Sequence, residues 1–371
     1  MRTLVTGGAG FIGSALVERL LAEGHTVDVV DNLSSGSLWN LADARASAGR
    51  DLTFHQLDVR SPDVAELVAR RRPEVVWHLA AQTDVAAGVA GPAADAQVNI
   101  VGSLALLEGV RAGGARKLIV TSSAAVYGDG RGDTPTPESS TRRPVSPHGI
   151  AKHAVDSYLA AYAELESIVF TSLVLATVYG PRAVTGAVAD WAGCLVAGRA
   201  CTLFGDGSQV RDFVYVDDVV DALARAADHA DGMVLNIGTG RGTTLAGLHV
   251  AMVEVAGRLV AEAAAMGGGA AVGGTGSVQP SEPPEAPGPP SEPPSEPPSG
   301  PPSGPPSEPP SGDVVRRGPP LGLRHVPARP GDVRSIVLDP SRAAKALEWA
   351  PWTDLPTGIE AVLRAALIRR E

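Results

Sequence analysis

The chain has 371 residues, 44% of them hydrophobic, and carries 31 Lys and Arg against 41 Asp and Glu for a formal net charge of -10. That is enough apolar material for one large core with a smaller lobe attached, and the acidic balance excludes the clustered basic surface that a nucleic-acid partner requires. No apolar run is long enough to span a bilayer, and the first strand begins at Arg2 with no leader ahead of it, so a cytoplasmic protein without a membrane partner is expected.

In chain order, short runs rich in Val, Ile and Leu predict strands over 2–6, 26–31, 52–57, 74–79, 117–122 and 168–175, and helical periodicity predicts helices over 11–23, 62–71 and 92–111. Such alternation implies parallel strands joined by right-handed crossovers, with helices covering both faces: an α/β, doubly wound parallel sheet of the Rossmann type. After Tyr179 the spacing becomes irregular, with glycine turns at Gly205-Asp206-Gly207 and Gly238-Thr239-Gly240 that suit a smaller substrate lobe closing over the strand ends. The expected division is 1–178 for the nucleotide-binding part, to which later segments return, and 179–260 with 321–371 for the substrate lobe. Cys194 and Cys201 are expected as reduced thiols, and neither has Cys or His neighbours at metal-ligand spacing, so no metal site is expected. Residues 261–320 are Gly/Ala-rich and then Pro/Ser-rich, a composition expected to form a disordered insert, with polyproline geometry in the proline repeats. A bland spacer and a Pro-x-x-Pro ligand for an aromatic groove are both open readings. An amphipathic helix over 356–369 closes the chain.

The first strand runs into Gly7-Gly8-Ala9-Gly10-Phe11-Ile12-Gly13 at the start of a helix. Gly7 permits a tight turn, Gly10 lets backbone N–H groups approach a pyrophosphate at the helix N-terminus around Phe11 and Ile12, and Gly13 allows close helix–sheet packing. Asp31 ends the second strand where a carboxylate would accept hydrogen bonds from the adenosine ribose and repel a 2'-phosphate, with Asn32 next to it; this favours NAD over NADP. Its alternative is to cap the turn over 32–36.

Ser122-Ser123 after the fifth strand and Lys152 in Ser-Pro-His-Gly-Ile-Ala-Lys resemble the Ser, Tyr-x-x-x-Lys constellation of the extended short-chain dehydrogenase/reductase family. The resemblance is to its nucleotide-sugar epimerase and dehydratase branch, and most of all to the UDP-glucose 4-epimerase group. It covers roughly 1–260 and 321 to the C-terminus. It implies an NAD-dependent epimerase acting on a nucleotide-diphosphate sugar, with a UDP-sugar as partner, by transient oxidation at sugar C4. It also implies the homodimer the family commonly forms. Ser123 matches the hydroxyl position and Lys152 the lysine that holds the nicotinamide ribose.

Further segments resemble cofactor-binding positions: Asp58 and Val59 for the adenine, Leu79, Ala80 and Ala81 after the fourth strand, and Asn99. Asp58 has an alternative as a helix cap, and His78 reads as a satisfied core histidine. Arg211 in Arg-Asp-Phe, and Arg329 and Asp332 in Arg-Pro-Gly-Asp, resemble the family's diphosphate clamp, surface ion pairs being the alternative.

Three positions depart from the pattern. His148 stands where the catalytic tyrosine belongs, on the same helix face as Lys152. An imidazole can accept a proton at neutral pH, but its reach is shorter than a phenol's and Lys152 should hold it neutral. The alternatives are a retuned base and a polar first-turn residue in an inactive, ligand-binding protein. Thr177 replaces the asparagine that helps seat the nucleotide-sugar. Ala124 and Ala125 stand where the branch's dehydratases and decarboxylases carry carboxylates, which leaves a nucleotide-sugar oxidoreductase or dehydratase as a weaker reading.

Overall fold

The computed structural model describes residues 1–130, 132, 134–267, 322–329 and 331–368. The described residues up to Leu259 and from Gly322 onward form one compact unit. Its strands are β1 (Arg2–Thr6), β2 (Thr26–Asp31), β3 (Leu52–Gln56), β4 (Val75–His78), β5 (Lys117–Ser123), β6 (Phe170–Leu175), β7 (Thr177–Tyr179), β8 (Cys201–Phe204), β9 (Val210–Tyr215), β10 (Met233–Ile237), β11 (Gly242–Thr244), β12 (Leu323–Val326) and β13 (Ser335–Ile336).

Seven strands make a fully parallel sheet in the order β10-β6-β5-β4-β1-β2-β3, the doubly wound arrangement expected from the sequence. The order in which successive strands are added reverses between β1 and β4, so a crevice opens at their carboxyl ends. The inner strands are largely apolar on both sides because both faces are covered, while the edge strand β3 is only partly buried. Val75 and Trp77 of β4 join one core cluster with Val5, Val29 and Ile119, while Val76 joins the other with Leu4, Val30 and Leu118. Trp77, with no exposed surface, satisfies its indole N–H on the Leu223 carbonyl at 2.9 Å.

The predicted helix over 92–111 is three pieces: Pro92–Ala96, a π-helical turn Gln97–Val101, and Gly102–Gly113. The wide turn places Asn99 inward. Seven of the described α-helices have no counterpart among the predicted ranges, namely Ala42–Ala48, Val85–Ala90, Pro147–Glu166, Ala187–Val196, Val216–Arg225, Leu245–Gly267 and Ser341–Ala346. Val85–Ala90 is short and weakly periodic; Pro147–Glu166 has buried residues His148, Lys152 and Asp156 on its inner face, which hide an apolar stripe.

Beyond β6 the chain builds smaller sheets. β9 pairs with β7, β11 and β13, and β8 pairs in parallel with β12. A separate core of Tyr179, Trp191, Leu203, Phe213, Met252 and Ile359 underlies them. β10 returns to the large sheet.

The helix Leu245–Gly267 corrects the expected start of the insert at 261: Ala-rich sequence over 261–267, the best helix-forming composition, prolongs the helix instead. The rest of that expected insert, 268–320, lies outside the described residues. Among the described residues, no helix is long and apolar enough to cross a membrane.

Candidate functional site

A cleft of about 1020 Å³ lies over the carboxyl ends of β1, β4, β5 and β6 and continues between the smaller sheets. Its floor is the glycine turn. Gly7 has φ +71, and a Cβ there would lie 2.7 Å from the Ala80 nitrogen; a Cβ on Gly13 would lie 2.0 Å from the Gly7 carbonyl oxygen. The backbone therefore comes as close to the crevice as geometry allows. The helix Phe11–Ala22 starts at Gly10 with neither a capping side chain nor an acidic first turn, leaving its first N–H groups for an anion. This is the cradle a dinucleotide pyrophosphate fits, and Gly7, Gly10, Phe11, Ile12 and Gly13 all line it.

Asp31 does two jobs. Its carboxylate accepts from Ala9 N at 3.0 Å and Leu33 N at 2.8 Å, tying β2 to the glycine turn, and it lines the cleft beside Asn32. Asn32 donates to Asp58 at 2.8 Å, and the fork of Arg60 on Asp58, at 2.8 and 2.7 Å, holds that carboxyl well below the usual range. Val59, Leu79, Ala80 and Ala81 face the cleft; Asp58 itself does not line it. His78 is the satisfied core histidine: Nδ1 lies 2.7 Å from the Thr6 hydroxyl and Nε2 2.8 Å from that of Ser103, and burial pushes its pKa down to about 3.

Asn99 is turned away from the cleft. It is 1% exposed, its Oδ1 accepts from Gln82 N at 2.9 Å, and its Nδ2 donates to the Gln82 carbonyl at 2.9 Å and to Asp95 at 3.0 Å. It is not among the residues that line the cleft and instead clamps the loop after β4.

The proton-transfer corner is assembled by β5 and the helix Pro147–Glu166. Ser146 caps that helix by accepting from Gly149 N at 3.2 Å, and Pro147 occupies its first turn. A Cβ on Gly149 would lie 2.6 Å from the Ala125 carbonyl, so the glycine lets the helix start press against the loop carrying Ser123. Of the two serines, Ser122 is buried and donates to Asp156 at 2.9 Å. Ser123 lines the cleft, accepting only from Ala125 N at 3.2 Å.

Lys152 is 5% exposed, donates to the Thr121 carbonyl at 2.8 Å and lines the cleft. Burial lowers its pKa to about 8, with the Asp156 and Asp95 carboxylates opposing. His148 is 8% exposed, and its Nδ1 lies 3.0 Å from the Gln82 carbonyl oxygen. A carbonyl only accepts, so Nδ1 carries the hydrogen and Nε2 carries the lone pair. Burial, and then the Lys152 ammonium, push the imidazole pKa down to about 4.

The other end of the cleft holds the cations. Arg211, with 15% of its side chain exposed, pairs loosely with Asp332 at 3.7 Å, and burial lowers its pKa. Arg329 stacks its guanidinium 3.6 Å from the centre of the Phe204 ring. Both arginines, Asp332 and Thr177 line the cleft.

The sequence profile of the NAD dependent epimerase/dehydratase family matches residues 3–238. The chain belongs to this family. It is similar to a UDP-glucose 4-epimerase of Mycolicibacterium smegmatis, with 45% identity over 263 residues, 69% of this chain and 83% of that one. The crystal structure of a UDP-glucose 4-epimerase with UDP-glucose from Thermotoga maritima superimposes with a TM-score of 0.77 at 34% identity, over 100% of this chain and 99% of that one. A Thermus thermophilus UDP-glucose 4-epimerase in complex with NAD gives 0.77 at 31% identity, with 99% of each chain covered.

Two members of this family site escaped the sequence reading. Gln82 directly follows the candidate residues Leu79, Ala80 and Ala81 but bonds to His148 through its backbone carbonyl, which side-chain motifs do not advertise. Asp95 precedes Asn99 by one helical turn, and that i, i+4 spacing was the available signal.

Proposed function

We propose that this family member is an NAD-dependent UDP-sugar 4-epimerase in which His148 does the work usually given to tyrosine. The observation that carries the reading is the Nδ1 contact of His148 with the Gln82 carbonyl, which leaves Nε2 as the acceptor in a cleft also lined by Ser123 and Lys152. When bound, NAD supplies the acceptor and donor of hydride at the sugar C4. The glycine turn would hold its pyrophosphate, Asp31 and Asn32 its adenosine ribose, Val59 and Leu79 to Ala81 the neighbouring surface, and Lys152 its nicotinamide ribose.

The Ser123 hydroxyl orients the sugar 4-hydroxyl toward His148 Nε2. Nε2 takes that proton and holds it for return, while the Lys152 charge favours giving it back. Arg211 and Arg329 grip the diphosphate and so fix the distance from nucleotide to reacting carbon, with Asp332 steering Arg211. Thr177, smaller than the family asparagine, leaves the sugar more room beside β6. The division near Tyr179 into cofactor and substrate parts belongs to the same reading, as does a homodimer, supported by the exposed apolar side chains of Ile150 and Tyr158.

A second reading, a protein that binds NAD and UDP-sugar without turnover, is favoured by one observation: an imidazole held at about 4 is a weak base. Incubation with NAD and UDP-glucose, followed by NMR of the sugar and NADH absorbance, separates the two. UDP-galactose without accumulating NADH supports the epimerase, binding without product supports the second reading, and stoichiometric NADH identifies a sugar oxidoreductase.

A further inference from the structure

The Gln82 carbonyl that sets the His148 tautomer is itself held by a buried polar array. Asn99 grips Gln82 at both its N–H and its C=O, so the carbonyl cannot turn away from His148 without breaking two hydrogen bonds. The amide of Asn99 could satisfy such a grip only with Nδ2 on the carbonyl side, and the second Nδ2 hydrogen goes to Asp95 Oδ2 at 3.0 Å. The same carboxylate oxygen receives the Gln82 side-chain amide at 3.2 Å. Asp95 is 1% exposed, and its other oxygen, Oδ1, is buried without a partner among the described residues. Burial raises its pKa. A buried, half-satisfied carboxylate is costly. The fold also makes room for it: a Cβ on Gly88 would stand 3.2 Å from Asp95 Oδ2.

We propose that Asp95 is the positioning residue of the proton-transfer corner, acting through Asn99 and Gln82 to keep the His148 hydrogen on Nδ1 and the lone pair on Nε2. Its catalytic consequence rests on the epimerase reading above; its structural consequence does not. Asp95 touches neither sugar nor cofactor and moves no proton. It selects the tautomer.

The test is the imidazole nitrogen spectrum of the full-length chain labelled with 15N-histidine, His148 being recognised among the eight histidines by its loss in His148→Ala. The unaltered protein should show Nδ1 protonated and Nε2 unprotonated. Asp95→Ala should give a mixture of tautomers or the reverse one. Asp95→Asn, whose side-chain oxygen can still accept at the Oδ2 position, should restore the original pattern. In the sugar assay Asp95→Ala should lower kcat roughly tenfold to a hundredfold with little change in KM, and Asp95→Asn should recover most of it. If Asp95→Ala does not fold, Asp95→Ser, too short to reach Asn99, is read in the same way. An Nε2–H tautomer in the unaltered protein, or an unchanged tautomer in folded Asp95→Ala or Asp95→Ser, overturns the proposal. Absence of turnover in the unaltered protein counts against the epimerase reading and leaves the tautomer measurement standing.

Discussion

The glycine turn and the His148 corner solve opposite problems at the two sides of one cleft. The turn works by removing atoms: at Gly7 and Gly13 there is no space for a methyl group, and bare backbone lines the cleft. The corner works by adding partners, because an imidazole on a helix can face several ways until a carbonyl, an amide and a carboxylate choose one. Sites made of excluded volume tolerate no substitution, whereas sites made of polar networks can exchange one acid–base group for another if the network follows.

The contrast can be broken at its rigid end first. Gly13→Ala drives a methyl group into the Gly7 carbonyl, so a loss on the order of 3 kcal/mol in unfolding free energy and no measurable NAD binding by calorimetry are expected. A variant that binds NAD normally would show the turn to be adaptable after all. Next in size, His148→Ala should lower kcat by about 10²- to 10⁴-fold in the epimerase assay, with NAD affinity retained. His148→Tyr should be at least as active as the parent, and equal rates for His148→Ala and the parent would remove histidine from the reaction.

At the diphosphate end, Arg211→Ala or Arg329→Ala should raise KM for UDP-glucose about tenfold each, the loss of one charge-assisted hydrogen bond, with a smaller effect on kcat. The gentlest probe is pH. Because the His148 imidazole must be neutral to accept a proton and its pKa is lowered to about 4, kcat/KM should hold through the usual histidine range and fall only as pH drops toward 4. The same shift makes the unfolded chain bind more protons between the ordinary histidine pKa and 4. Stability should therefore decline as pH falls through that window, measured as a falling thermal midpoint, and His148→Ala should lessen the decline.

Legibility followed the range of the interactions. Six of the seven strands of the large sheet are readable to within a residue or two because their apolar runs are nearly continuous, whereas β10, which returns after the smaller sheets, is not predicted. The family resemblance puts His148 and Lys152 on one helix, but periodicity gives no range for Pro147–Glu166, since its inner face carries His148, Lys152 and Asp156, polar groups that spoil the hydrophobic pattern. Asp31 could be read as ribose ligand or turn cap, and the fold gives its carboxylate the backbone bonds of the second while leaving it on the cleft wall. Asn99 was read as facing the cofactor; a π-helical turn, invisible in residue spacing, swings it onto Gln82.

By itself, the sequence determined the glycine cradle and the shared face of His148 and Lys152, because both depend on backbone geometry within one turn or one helix. Only the tertiary structure decided which serine is free, which imidazole nitrogen bears the hydrogen, and that Arg211 and Arg329 share a cleft. Each of those is set by groups far away in sequence, such as Asp156, 34 positions from the Ser122 hydroxyl that it accepts from. The carbonyl that orients His148 lies 66 positions upstream, in the loop after β4, and reaches it only when that loop and the start of the helix Pro147–Glu166 meet beside the cleft.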